Sequence, residues 1–203
     1  MMQEILSKIT WLEWLGVLFS SVQVLLARKN NVNNYLFGIA GVLIALYLKF
    51  NAHLYAEFTL ELYYLVMSVY GWIFWKYGNQ KAEVPVSYSD SSERFKSWGI
   101  VVGTFILFYL FLTVYTKSDV PIWDSAVAAF AWAGMWLLAK RKIENWIFLA
   151  VSNIISIPLM IHKDFYLYAV LYTFLLIVAI FGYINWKKII KNESENKTKN
   201  LPQ

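Results

Sequence analysis

Residues 54–76 read LYAEFTLELYYLVMSVYGWIFWK. The stretch is long enough to cross a bilayer as a helix, which takes roughly 17–25 apolar residues, yet Glu57 and Glu61 sit inside it. A soluble helix turns its glutamates to water, and a lipid-bound helix has no wet face. An acidic side chain at a bilayer centre costs at least about 2.5–3.5 kcal/mol on insertion scales, so it normally faces a partner or a cavity. At 3.6 residues per turn Glu57, Glu61, Tyr64, Ser68, Trp72 and Trp75 share one helix face. That face is expected to line something polar. Two carboxylates with tyrosine and tryptophan suit a flat, cationic, aromatic ligand through charge and cation–π contacts.

The segment is one of seven apolar stretches of spanning or near-spanning length, at about 11–27, 35–50, 54–75, 98–115, 123–139, 146–161 and 166–186. The chain of 203 residues is 59% hydrophobic, 19% aromatic and 15% charged, whereas a soluble domain carries about 25% charged residues. The reading is an all-α integral membrane protein with seven transmembrane helices. Its 10 tryptophans and 14 tyrosines fit interfacial belts. Residues 1–10 lack a basic region, an apolar core and a small-residue cleavage site, so no cleavable signal peptide is expected. Without cysteine there is no disulfide, thiolate metal site or cysteine nucleophile.

The net charge of +5 follows the membrane rather than a nucleic acid. Fourteen of the 18 lysines and arginines lie in segments 28–34, 76–97, 140–145 and the C-terminal tail, all on one side of a seven-span chain. Excess Lys and Arg marks the cytoplasmic side, which places the N-terminus outside and the C-terminus in the cytoplasm. The polar residues 189–203 read as a disordered cytoplasmic tail.

One unit is used twice. Aligning 34–75 with 145–186 at a constant offset matches Asn34 with Asn145, Phe37 with Phe148, Ile44 with Ile155 and Tyr55 with Tyr166. It continues with Leu60 and Leu171, Leu65 and Leu176, Gly71 and Gly182, and Trp75 and Trp186. A slip of one residue upstream pairs Leu-Leu-Ala 25–27 with 137–139, and Trp11 with Trp123. The expected organisation is a single transmembrane domain over 1–188, with repeat one at 11–76, a linker helix at 98–115 and repeat two at 123–188. Four crossings separate the starts of the two repeats, so both insert in the same orientation. Parallel repeats are a recurrent transporter plan.

In the second repeat Tyr172 takes the place of Glu61, and Asn153 sits mid-span beside Ser152 and Ser156. A carboxamide there can donate and accept toward a ligand, or bond a neighbouring helix. Asp124 opens the fifth span, as an entrance for a cation or as an ordinary helix-start acid. Lys49 lies near a span end, where it can snorkel. His53 and His162 are too isolated for a metal. No phosphate-binding loop, nucleophile–base set or large soluble domain marks an ATP-driven pump, an intramembrane enzyme or a receptor.

These residues resemble the PnuC family of bacterial vitamin transporters. The resemblance covers nearly all of 11–188 and rests on three elements: Leu54-Tyr-Ala-Glu57 through Tyr70-Gly-Trp-Ile-Phe-Trp75; Trp123-Asp-Ser125; and Leu137 to Trp146 followed by Asn153-Ile-Ile-Ser156. It implies a 3+1+3 helical fold with parallel repeats, distantly related to the SWEET sugar transporters. It also implies uptake of nicotinamide riboside by facilitated diffusion, by alternating access and without a cofactor, in the bacterial inner membrane. A cytoplasmic kinase then traps the substrate by phosphorylation; self-association into a homo-oligomer is left open. Matching positions point to Glu61, Trp72, Trp75 and Asn153 as substrate-binding. The chain departs from the family where riboside carriers commonly have Gln for Glu61 and often Asn for Ser68. A carboxylate suits the pyridinium of the riboside and suits thiamin equally.

Overall fold

The computed structural model describes residues 11–51, 55–78, 83–116, 119–163 and 166–199; the side chains of 55–57, 59, 167 and 197–199 lie outside that description. These residues form seven helices: α1 (Trp11–Arg28), α2 (Asn34–Asn51), α3 (Tyr55–Tyr77), α4 (Ser91–Tyr115), α5 (Pro121–Ala139), α6 (Asn145–His162) and α7 (Tyr166–Lys199). Five of them, α2, α4, α5, α6 and Tyr168–Asn196 within α7, are long and apolar enough to cross a membrane. The other two carry Glu13 and Gln23 on α1, and Glu57 and Glu61 on α3. On α4, Val102, Leu107 and Val114 are all more than half exposed. A helix so apolar on its open faces needs lipid around it.

The chain divides into two compact units, Met1–Val84 and Pro85–Gln203. In the first, α1 packs on α2 and α2 on α3; in the second, α4, α5, α6 and α7 pack in chain order. The helix read as a linker, α4, falls within the second unit. Ala129 and Ala133 on α5 leave room for its approach, and Val101, Leu137 and Phe148 close the cluster. Small residues at a helix contact let backbones come near enough for dispersion to hold them in lipid. The Trp98 ring stands 5.5 Å from Phe148 and 6.2 Å from Phe130.

Each unit contains the same turn. Between α1 and α2, Asn30 adopts φ 56°, and between α5 and α6, Arg141 adopts φ 59°. Around them the amides of Asn30, Asn31 and Asn34 donate to the carbonyls of Ala27, Leu26 and Asn31, while those of Arg141, Lys142 and Asn145 donate to Leu138, Leu137 and Lys142. The Asn34 carboxamide donates to the Asn31 carbonyl at 2.7 Å, and that of Asn145 to Lys142 at 2.6 Å. Every pair keeps the offset of the downstream identities, so the one-residue slip expected upstream is not present in these turns. Leu-Leu-Ala 25–27 matches 137–139 by composition; backbone hydrogen bonds fix the true register. Arginine in the left-handed region costs energy, whereas asparagine tolerates it. The buried Arg141 is held there because its carbonyl also accepts from the Ser87 amide.

Beyond the turn, an aromatic ring seats on a glycine. A Cβ on Gly71 would lie 2.5 Å from the Tyr35 ring, and one on Gly182 would lie 2.6 Å from the Trp146 ring. Trp75 meets Tyr35 edge-to-face at 5.1 Å, and Trp186 meets Trp146 likewise at 5.6 Å. Edge-to-face pairs of this kind contribute about 0.5–1.5 kcal/mol beyond area burial. The units also exchange a bulk: Gln23 of α1 fills the space over Gly38 of α2, whereas Gly134 of α5 makes room for Leu149 of α6.

The Glu144-Asn145-Trp146 box anchors the segment ahead of α4. Glu144 accepts from the Ser89 amide at 3.0 Å with each oxygen and from the Ser89 hydroxyl at 2.8 Å. Ser87 bridges Lys142 in parallel fashion, and Lys142 pairs with Glu93 at 2.9 Å. Asp90 caps α4 in a reciprocal box with Glu93. At the other end, α7 continues through 189–199, where the composition predicts disorder. Helix nucleation is already offset by the preceding turns, so each added residue costs little. A Lys191–Glu195 pair at 3.8 Å accompanies it. Residues 200–203 of the expected tail lie outside the described residues.

Two outcomes follow for purified protein. Gly182→Ala is expected to lower stability by roughly 1–3 kcal/mol, the usual cost of overpacking. Gly103→Ala, whose new methyl would meet nothing within 4 Å, should leave stability unchanged or raise it by roughly 0.5–1 kcal/mol. Thermal unfolding in detergent measures both. Glu144→Ala should speed hydrogen–deuterium exchange across 85–90, while the Asn30 turn of the first unit keeps its wild-type protection.

Candidate functional site

In the first unit the polar face of α3 is built against α2. Glu61 is largely buried, with 14% of its side chain exposed, and its Oε1 accepts from the Lys49 ammonium at 2.5 Å. Lys49 stands in the last turn of α2. The expected snorkelling lysine is thus the counter-ion of the mid-span acid, which meets the need for a charge partner in a low-dielectric setting. Oε2 of Glu61 has no partner among the described residues. One turn on, Tyr64 is half-buried and stands edge-to-face with Tyr63 at 5.9 Å. Ser68 is fully buried and its hydroxyl has no partner among the described residues. Trp72 is half-buried, with the Lys76 ammonium 5.6 Å from its ring centroid.

Two candidates on this face stand apart from the others. Trp75 is fully buried against Tyr35. Its ring offers no surface to a ligand in this conformation and serves the seat on Gly71. Glu57 lies on α3 with its side chain outside the described ones. What remains as an open polar stretch is Glu61, Tyr64 and Trp72, with the Ser68 hydroxyl beneath.

In the second unit α6 brings Ser152, Asn153 and Ser156 together. The Ser152 hydroxyl donates to the Val127 carbonyl of α5 at 3.0 Å, and that of Ser156 to the Ser152 carbonyl at 2.9 Å. Both serines are satisfied within the protein. Asn153 differs: it is 8% exposed, and its carboxamide has no hydrogen-bond partner among the described residues. A carboxamide with open hydrogen-bonding capacity can donate to and accept from a ligand. Pro158 lies inside the same helix. Tyr172 is half-buried on α7.

Asp124, read either as an entrance for a cation or as a helix-start acid, is paired with a lysine. Both its oxygens accept from Lys163, at 2.6 and 2.8 Å, with 17% of the side chain exposed. Beside this pair the exposed His162, the last residue of α6, meets the exposed Asp119 at 3.0 Å. The hydrogen bond from His162 is the main cause holding the Asp119 carboxyl below the usual carboxylate range. His53 is outside the described residues. Among the described residues no cluster of three acids or histidines can hold a metal.

Helical periodicity alone does not reveal Lys49 and Lys163 as counter-ions, because Lys49 lies on a different helix from Glu61 and Lys163 caps the end of α6, away in sequence from Asp124 on α5. Folding α2 onto α3 as a helical hairpin is the signal that brings Lys49 toward Glu61.

Comparison with known proteins places this arrangement. A family model described as Nicotinamide mononucleotide transporter matches residues 10–188. The Nicotinamide riboside transporter PnuC of Escherichia coli (strain K12) is 23% identical, over 88% of this chain and 85% of that protein. The protein of the same name from Haemophilus influenzae is 27% identical, over 90% of this chain and 81% of its own length. The solved structure described as Crystal structure of the Vitamin B3 transporter PnuC superposes with a TM-score of 0.71 at 23% identity, covering 93% of this chain and 85% of that one. The structural likeness establishes the fold, and the match over most of the chain establishes the family. This multi-pass protein belongs to the PnuC family of membrane transporters.

Proposed function

We propose that this chain carries nicotinamide riboside into the bacterial cell across the inner membrane, by facilitated diffusion with alternating access. Seven helices in a 3+1+3 arrangement with parallel repeats, akin to the SWEET carriers, form its transport domain over residues 1–188. The N-terminus is outside and the C-terminus cytoplasmic. A cytoplasmic kinase phosphorylates the incoming riboside and so draws the equilibrium inward.

The observation that carries the reading is the half-satisfied Glu61 on the aromatic face of α3, in a chain similar to named riboside carriers over most of their length. The riboside is a flat pyridinium cation with ribose hydroxyls and a carboxamide. Glu61 supplies charge, and Oε2 an acceptor for a hydroxyl. Tyr64 and Trp72 supply ring faces, with Ser68 and Glu57 along the same face. In the second unit Asn153, which can donate and accept at once, and Tyr172 on α7 are further proposed substrate-binding residues. Trp75 positions this wall from behind. Asp124, held by Lys163, shapes the end of α5.

The phosphate of a mononucleotide fits less well. Glu61 would repel it, and Lys49 and Lys163 are each already paired with a carboxylate. A second reading, uptake of thiamin by the same route, is favoured by the one departure that Glu61 represents, since an aminopyrimidine and a thiazolium both suit an acid.

Calorimetry on the detergent-purified protein decides between them. Nicotinamide riboside is expected to bind and thiamin not to; selective binding of thiamin would transfer the protein to the second reading. Glu61→Gln should weaken riboside binding by about 1.5–3 kcal/mol, the range for a hydrogen bond to a charged group, and Asn153→Ala by about 0.5–1.5 kcal/mol. Unchanged binding in Glu61→Gln would remove Glu61 from the site.

A further inference from the structure

We propose that Lys49 is a tethered counter-cation that competes with a cationic substrate for Glu61, and thereby sets selectivity between charged and neutral ligands. The inference deepens the riboside reading and rests on it.

The geometry carries the argument. Lys49 holds only Oε1 of Glu61, at 2.5 Å, and leaves Oε2 without a partner among the described residues. The other membrane carboxylate–lysine pair is built differently: Lys163 engages both oxygens of Asp124. Asp124 is therefore locked, whereas Glu61 is charge-balanced but half open. Lys49 also has somewhere to go. It stands in the last turn of α2 with 29% of its side chain exposed. A lysine is a compact charge on a flexible four-carbon stem, and near a span end that stem can carry the ammonium toward the interface.

A pyridinium brings a delocalised positive charge with no N–H to donate. On reaching Glu61 it meets a carboxylate that already has a cation beside it, and two like charges at one anion disfavour each other. The ligand and the ammonium are then antagonistic occupants of one site. Their coupling is reciprocal: the substrate loosens Lys49, and Lys49 weakens the substrate. A neutral ligand of the same shape escapes this penalty. Without substrate, Lys49 is the charge partner of Glu61; with substrate, the vitamin takes over that role.

Calorimetry on the full chain tests this with nicotinamide riboside and with its reduced, uncharged form. Lys49→Met should tighten the cationic riboside by about fivefold or more, the lower end of usual coupling between two ligands on one protein. It should leave the reduced form unchanged. Lys49→Arg, which keeps the charge, should retain the wild-type ratio and guards against a simple loss of folding. In a Glu61→Gln background, Lys49→Met should give no gain. Weaker or unchanged binding of the cation by Lys49→Met would overturn the proposal, as would an equal shift for both forms, which marks a structural role. Failure of the wild type to bind either form would instead sink the riboside reading, and this proposal with it.

Discussion

A charge inside a bilayer needs its opposite within reach, and this chain meets the demand inside each of its two units. Glu61 takes Lys49 from the neighbouring helix, and Asp124 takes Lys163 from the end of α6. With those charges neutralised locally, α3 and α5 can be inserted and packed as mainly apolar helices. The remaining polar atoms then become informative. The serines of α6 are consumed by backbone carbonyls, whereas Oε2 of Glu61 and the amide of Asn153 have no partner among the described residues. A carrier needs such incompletely satisfied groups, because fully bonded ones have nothing to offer a passing solute.

Around these groups the helices are held by shape. The glycine seats under Tyr35 and Trp146 fix α2 to α3 and α6 to α7 at a distance that a methyl group would not permit. The matching turns at Asn30 and Arg141 fix α1 to α2 and α5 to α6. Local geometry of this kind holds α2 against α3 in the first helix group, and α6 against α7 in the second, at a fixed spacing. The Glu144–Ser89 clasp adds α4 to the second group, so a motif that resembles a family signature acts here as a structural tie.

Much of this was readable in residues. The matched Gly71 and Gly182, with Trp75 and Trp186, disclosed the repeat because glycine and tryptophan carry strong steric meaning. The Leu-Leu-Ala match misled for the opposite reason: apolar residues recur in any membrane span and carry no register, while the left-handed turn residue does. Periodicity placed Trp75 on the face of Glu61 correctly. It could not tell that Tyr35 covers that end of the face, since coverage depends on another helix. The pairing of Lys49 with Glu61 was hidden likewise, lying between helices rather than along one. The helical stretch 189–199 escaped because composition weighs burial and ignores a helix already nucleated upstream.

Uptake of labelled nicotinamide riboside into proteoliposomes containing only this protein tests the central claim most directly. The account predicts saturable entry that stops when inside and outside concentrations are equal, without nucleotide or an imposed ion gradient, and exchange of internal label for external unlabelled riboside. No saturable entry, or accumulation that appears only when an ion gradient is imposed, would contradict it.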